Sequence, residues 1–215
     1  MERHAFAFAI RYGKYNEFRQ LLGTMWSDVT DILDAMRIQN FSLWGIEDLV
    51  FGYYEMNSEK TLPTSKSSQY GRIRSELDKL VEWISTPAEE MRLMYQDFGI
   101  VRDSKELIRH RVFATRLRPG AQEEYKRRHD ELVEARGDKV DPGPDSNFSI
   151  WNAGDYIFGY DEIDTSMEVE ETEEQRRNTI DWETKMLGIM AWFTDDVDWI
   201  TGLEHKHVVR LAHHN

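Results

Sequence analysis

Asn40–Met56 reads NFSLWGIEDLVFGYYEM, and Asn147–Ile163 reads NFSIWNAGDYIFGYDEI. Each stretch holds two runs rich in aromatic and β-branched residues, separated by a short polar break at Gly45–Asp48 or Asn152–Asp155, which predicts a β-hairpin. The two stretches also match each other. A single offset of 107 residues carries Asn40 to Asn147 and Phe51 to Phe158. The same offset carries Phe6 to Phe113, Arg11 to Arg118, Gly13 to Gly120 and Glu17 to Glu124. No gap is needed from Arg3 to Glu55, so the chain is two copies of one unit. The seam falls in Val101–Leu107, giving an N-terminal repeat over 1–104 and a C-terminal repeat over 105–215.

Outward from the hairpins, HAFAFAIR and RVFATRLR read as strands. Tyr15–Met36 has helical periodicity, with Phe18, Leu21, Leu22, Met25, Val29, Ile32 and Leu33 on one broad face. A second helix is predicted near Tyr70–Ser85 in one copy and Thr172–Met190 in the other. Extended segments near Met91–Val101 and Glu204–Leu211 are expected to close the units. The order is βαββαβ, a ferredoxin-like pattern in which two helices cover one face of an antiparallel sheet. The other face needs cover as well. The expectation is α+β, with two tandem units whose sheets face each other as an intramolecular dimeric α+β barrel.

Composition narrows the partners. The 215 residues carry a formal net charge of −13 and no cysteine. An acidic surface disfavours nucleic acid and anionic membranes, and the absence of thiols fits a reducing compartment. No apolar run approaches a membrane span, and MERHAFAFAIRYGK is a poor signal peptide, so a cytoplasmic location is expected. The partner predicted is a small molecule, with further pairing of fused chains left open.

The two copies control for each other. On the first helix, positions i, i+4 and i+7 share a face. They are Phe18, Leu22 and Met25 in the first copy, but Tyr125, His129 and Leu132 in the second. A phenol and an imidazole thus replace core residues. A polar pair on such a stripe costs stability unless it is satisfied, and imidazole exchanges protons near neutral pH. A satisfied core histidine is the bland reading; the accompanying tyrosine favours chemistry. The segment Gly137–Asp145, with two prolines, ends the second copy's helix early and is either a tolerated loop or an opened rim.

YKRRH after a PGAQEE turn, followed by NFSIW and IFGYDE, resembles the L-rhamnose mutarotase family. The resemblance implies ferredoxin-like units paired as dimeric α+β barrels, and cofactor-independent exchange of the anomers of a 6-deoxy sugar. It implies that His129 is a general acid and that Tyr125 contacts the sugar. The family usually has Asn-Tyr where this chain has Asn147-Phe148. Its adjacent tryptophans fall here on Trp182 and Glu183. By that reading the catalytic group is His129, Tyr125 and Glu183, with Tyr125, Phe148, Trp182 and Glu183 binding a sugar or polyol. Trp182 would stack on the sugar, and Glu183 would take hydroxyl hydrogen bonds or serve as partner base. No cofactor or metal is expected.

Other readings compete. A different dimeric α+β barrel enzyme, such as a cyclase or a cofactor-free monooxygenase, would suit the aromatic lining. A non-catalytic sugar-binding protein would suit the degenerate first copy. His205 and His207 at period two could ligate a metal but lack an evident third ligand. His213 and His214 are expected to be solvated. Asp161–Glu174 reads as a solvated acidic loop and helix start. Trp192, Phe193 and Trp199 beside Asp195, Asp196 and Asp198 read as core with capping acids rather than a carbohydrate platform.

Overall fold

The computed structural model describes residues 1–57, 61–85, 90–102, 104–192 and 208–215. The first repeat contributes β1 (Glu2–Ile10), α1 (Tyr15–Met36), β2 (Gln39–Ile46), β3 (Leu49–Met56), α2 (Ser67–Asp78), β4 (Val81–Trp83) and β5 (Arg92–Gly99). The second contributes β6 (Ile108–Leu117), α3 (Gln122–Arg136), β7 (Asp145–Ala153), β8 (Tyr156–Asp164), α4 (Glu173–Met186), β9 (Met190–Trp192) and β10 (Val209–His214). They form an α+β structure of two five-stranded antiparallel sheets, ordered β10-β2-β3-β1-β4 and β5-β7-β8-β6-β9.

The strand orders correct two expectations. The segments predicted to close each repeat are instead exchanged. β5 follows the first repeat yet pairs with β7, and β10 follows the second yet pairs with β2. The ferredoxin-like closing strands are the short β4, inside the stretch expected to be helix, and β9, which begins at the expected end of the other helix. α2 ends at Asp78, well before Ser85, because Leu80 N–H turns back to the Leu77 carbonyl at 2.8 Å. The boundary at 104/105 divides sequence repeats; the compact units are Met1–Met91 with Val208–Asn215, and Arg92–His207. Exchange of β5 and β10 accounts for the difference. The histidines of β10 are likewise not simply solvated: His214 Nε2 lies 2.7 Å from Asp34 Oδ1 on α1.

The repeated motif letters have local causes. Asn40 and Asn147 sit at φ +52° and +55° where β2 and β7 bulge. Asparagine tolerates this left-handed conformation better than a branched residue. Asn40 also donates to the buried Glu55 carboxylate at 2.9 Å. The glycine of each FGY lies under a ring: a Cβ on Gly52 would come within 2.1 Å of Phe6, and one on Gly159 within 2.1 Å of Phe113. Trp44 and Trp151 each donate from Nε1 to a serine two residues earlier, at 2.8 and 2.9 Å. Tyr53 and Tyr160 each donate to a glutamate two residues later, at 3.1 and 3.0 Å. The duplicated sequence therefore preserves buried hydrogen bonds as well as apolar packing.

Each unit has its own helix-side core. In the first unit Phe8, Ile10, Phe18, Leu33, Val50 and Val81 anchor it. In the second, Met94, Leu117, Ile150, Ile157, Met186 and Met190 do so, together with Tyr125. α4 opens with the Thr172–Gln175 capping box and Glu173 and Glu174 in its first turn, as the acidic run suggested, but the start of that run is no solvated loop: Asp161 and Glu162 are buried in β8, where cross-strand pairing with β6 and β7 covers them. No helix among the described residues is long and apolar enough to cross a membrane.

Gly159→Val should drive a branched side chain into Phe113 and lower unfolding free energy by about 2 kcal/mol or more. Gly71→Ala, in α2 with open space at its Cβ, should be neutral or stabilising by about 0.5–1 kcal/mol. Urea denaturation of both variants against the unaltered chain measures the contrast.

Candidate functional site

α3 separates its charges from its polar stripe. Arg127 bridges Glu124 and Glu131, Arg128 reaches Glu124, and Lys126 pairs with Asp130. These ion pairs lie on the wet side. Tyr125 and His129 instead are 2% and 3% exposed. Their rings stack at a centroid distance of 4.3 Å, one helical turn apart.

The backbone fixes the state of His129. Its Nδ1 lies 2.9 Å from the Tyr125 carbonyl oxygen. A carbonyl only accepts, so in the neutral ring Nδ1 carries the proton and Nε2 the lone pair. Burial pushes the His129 pKa down to about 4; the Tyr125 carbonyl and Asp130 oppose this, and Lys126 adds to it. At neutral pH the imidazole is an uncharged base. This departs from the role of proton donor that the resemblance implies.

Glu183 moves the other way. Burial raises its pKa to about 7, and its Oε2 is buried without a hydrogen-bond partner. Burial also raises the Tyr125 hydroxyl, with Glu183 adding to the effect, so that phenol stays protonated. Trp182, the preceding residue, meets His129 edge-on at 5.2 Å and an interplanar angle of 88°. Phe148 joins through Tyr95, whose ring lies 5.4 Å from both Phe148 and His129. The structure thus gathers Tyr125, His129, Trp182 and Phe148 into one ring cluster, with Glu183 beside Trp182 and electrostatically coupled to Tyr125.

Four neighbouring residues escaped the sequence reading. Tyr95 comes from β5, a strand of the other repeat. Burial raises its hydroxyl, with Asp97 adding and Arg136 opposing. Arg136, the last residue of α3, donates to the Tyr95 hydroxyl at 3.3 Å and pairs with Asp97. Arg111 and Asp161 lie opposite each other on β6 and β8, 2.7 Å apart, and the Arg111 guanidinium lies over Phe148 at 5.6 Å. Burial lifts this carboxyl to about 8, with Arg111 and the Glu162 backbone opposing the rise and Asp145 adding to it. A signal for this pair was present. The equivalent first-repeat residues are His4 and Tyr54, which stack at 4.9 Å. Tyr95 left no such signal, because nothing in its own repeat indicates which sheet it joins.

The first unit arranges the same place differently. Leu80 and Ile189 follow α2 and α4 in matching turns, with N–H donation to Leu77 and Met186 respectively. That correspondence sets Ile73 against Trp182 and Arg74 against Glu183. Together with Phe18 and Leu22, it leaves the first unit without counterparts of the Tyr125, His129 and Glu183 proton-transfer groups. His205 and His207, with Phe193, Asp195, Asp196, Asp198 and Trp199, lie outside the described residues. Among the described residues no group of three or more His, Asp or Glu is arranged to hold a metal ion.

The fold and this cluster describe a tandem ferredoxin-like α+β protein whose second unit gathers aromatic and titratable side chains in and beside its helix-side core. The sequence model of the L-rhamnose mutarotase family matches residues 110–207. Through its second repeat, this chain is similar to that family. No curated relative matches the chain. A solved structure of a provisionally assigned monooxygenase from Fusobacterium nucleatum aligns over 97% of this chain and 95% of its own, with 9% identity and a TM-score of 0.44.

Glu183→Gln isolates the acid. The folded pKa of Glu183, about 7, lies above its ordinary value of 4.5. The folded state therefore holds the extra proton, and stability present below pH 4.5 is lost as pH rises to about 7. Relative to the unaltered chain, Glu183→Gln should gain on the order of 1–2 kcal/mol over that window, allowing for the partial exposure of Glu183. Urea midpoints at pH 4.5 and 7 measure this. The ¹⁵N resonances of His129 should report the Nδ1–H tautomer throughout the same window.

Proposed function

We propose that the second unit catalyses cofactor-independent interconversion of the anomers of a 6-deoxy or related sugar. One observation carries the reading: beside one phenol, desolvation pushes buried His129 down to about 4 and half-buried Glu183 up to about 7. Environments that push two titratable groups in opposite directions are how one site supplies both halves of acid–base catalysis. The family match over residues 110–207 supports a mutarotase-type reaction.

The chemistry needs one proton removed and one delivered. His129 Nε2 takes the proton from the anomeric hydroxyl as the bond between the anomeric carbon and the ring oxygen breaks. Glu183 gives its proton to that ring oxygen, leaving the open-chain aldehyde, an imidazolium and a carboxylate. Rotation of the aldehyde and closure on its other face return both protons, so the site resets without a co-reactant. The roles differ from the expected proton-donating His129 and partner base Glu183, because burial acts with opposite sign on a base that charges by gaining a proton and an acid that charges by losing one. Tyr125, kept protonated, offers a hydroxyl to the sugar. Trp182 and Phe148 supply apolar faces for ring carbons and a methyl group. Arg111 and Asp161, beyond Phe148, provide further polar contacts for a polyol.

Saturation-transfer NMR on L-rhamnose and other 6-deoxy sugars at anomeric equilibrium tests the reading. The unaltered chain should accelerate exchange, and His129→Ala and Glu183→Gln should each lower it by about 10²-fold or more. The rate should rise as His129 loses its proton above pH 4 and fall as Glu183 loses its own above pH 7. Sugar binding without accelerated exchange would leave a binding protein, and absence of both would remove the sugar reading altogether.

A further inference from the structure

The first unit holds a cavity of about 330 Å³ between α1, α2 and its sheet. Interiors pack with few voids larger than a water molecule, and this volume lies in the range of small-molecule sites. Phe6, Phe41, Trp83, Met36 and Ile73 form its apolar wall. It overlaps in part the position where the second unit places its polar cluster: Phe41 stands for Phe148, Ile73 for Trp182 and Arg74 for Glu183, whereas Phe18 and Leu22, the counterparts of Tyr125 and His129, are not in its wall. Here those positions surround open space.

The ring geometry follows the void. Around Phe6, the centroids of Phe41, Tyr54 and Trp83 lie 6.0–6.3 Å away, all at tilted angles. Deeper in the same core, Phe8 meets Trp83 at 5.3 Å and Phe18 at 5.7 Å, both edge-on. The rings facing the cavity are thus spaced towards the outer limit of aromatic pairing, with faces and edges left for another ring.

The polar residues select the ligand's charge. Arg74 lines the cavity but is engaged: its Nε donates to both Asp78 oxygens at 2.8 and 3.0 Å, and its guanidinium lies over Trp83 at 4.8 Å. Glu90 also lines it, accepting from the Tyr54 hydroxyl and standing 3.4 Å from His4 Nδ1. A carboxylate at the wall repels an anion and accepts a hydrogen bond from a neutral donor. We infer that the first unit is a binding site for a neutral mono- or bicyclic aromatic compound bearing one O–H or N–H, with its ring among Phe6, Phe41 and Trp83 and its donor on Glu90. This assignment does not depend on the chemistry proposed for the second unit.

Methyl-labelled methionine NMR on the full chain, titrated with 2-naphthol, tests it. Met36 lines the cavity, whereas Met94, Met186 and Met190 belong to the second unit's core. The expected result is a saturable Met36 shift with submillimolar affinity, with the other three unmoved. 2-Naphthoate, the anionic isostere, should bind at least about tenfold more weakly, since burying an unpaired charge is costly. Ile73→Trp, which fills the cavity with the residue found at Trp182, should abolish the shift. Val29→Phe fills it from α1 and replaces Ile73→Trp if that variant loses the native spectrum. No saturable Met36 shift, a shift that survives cavity filling in a natively folded variant, or equal binding of naphthoate overturns the assignment.

Discussion

The ladder between β5 and β7 is the constraint on which the second unit depends. It pairs Arg92 with Asn152 and Leu93 with Trp151, bulges, and then pairs Tyr95 with Ile150 and Asp97 with Phe148. A strand displays alternate side chains on opposite faces, so a slip of one residue would turn Tyr95 away from His129. The bulge and the Arg136 clamp to Asp97 and the Gln96 carbonyl hold that register from two sides. Met94, fully buried, joins the helix-side core from the same strand. The site's geometry therefore rests on backbone hydrogen bonds that the second repeat cannot make with its own residues.

Burial does the electrostatic work inside that frame. The same desolvation that keeps His129 uncharged keeps Glu183 protonated, because water stabilises the charged form of each. No strong ion pair is needed to poise either group. The first unit shows what the frame becomes without such groups: phenylalanine and leucine close the α1 stripe, and isoleucine and arginine stand where Trp182 and Glu183 do. One backbone plan thus carries unlike side chains at matching positions, among them His4 and Tyr54 in the first unit and Arg111 and Asp161 in the second.

Much of this was legible in the letters. The constant offset set the duplication, α1 runs over Tyr15–Met36 as its periodicity required, and both hairpins turn where their polar breaks fall. Tyr125 and His129 stood out because their counterparts were Phe18 and Leu22. Destination was harder to read than element type. β5 and β10 read as extended segments, but which sheet an extended segment joins depends on non-local pairing that its own residues do not encode. The helix ends near Asp78 and Met186 were overrun because two three-residue strands lack enough length to break a helical pattern. The opposite shifts of His129 and Glu183 were also out of reach, since they follow from burial rather than from residue type.

Strand exchange has a consequence for how such a chain could come to hold two different sites. A single ancestral repeat, lacking the partner strand for its second hairpin, would complete its sheet only by lending its last strand to a second copy and receiving one in return. In that symmetric pair every substitution falls on both sites at once. Joining the copies in one chain keeps the loan in place while ending the symmetry. Each half can then lose or gain a side chain without the other following, and the half that sheds its acid and base still supplies the strand that carries Tyr95 to its sibling.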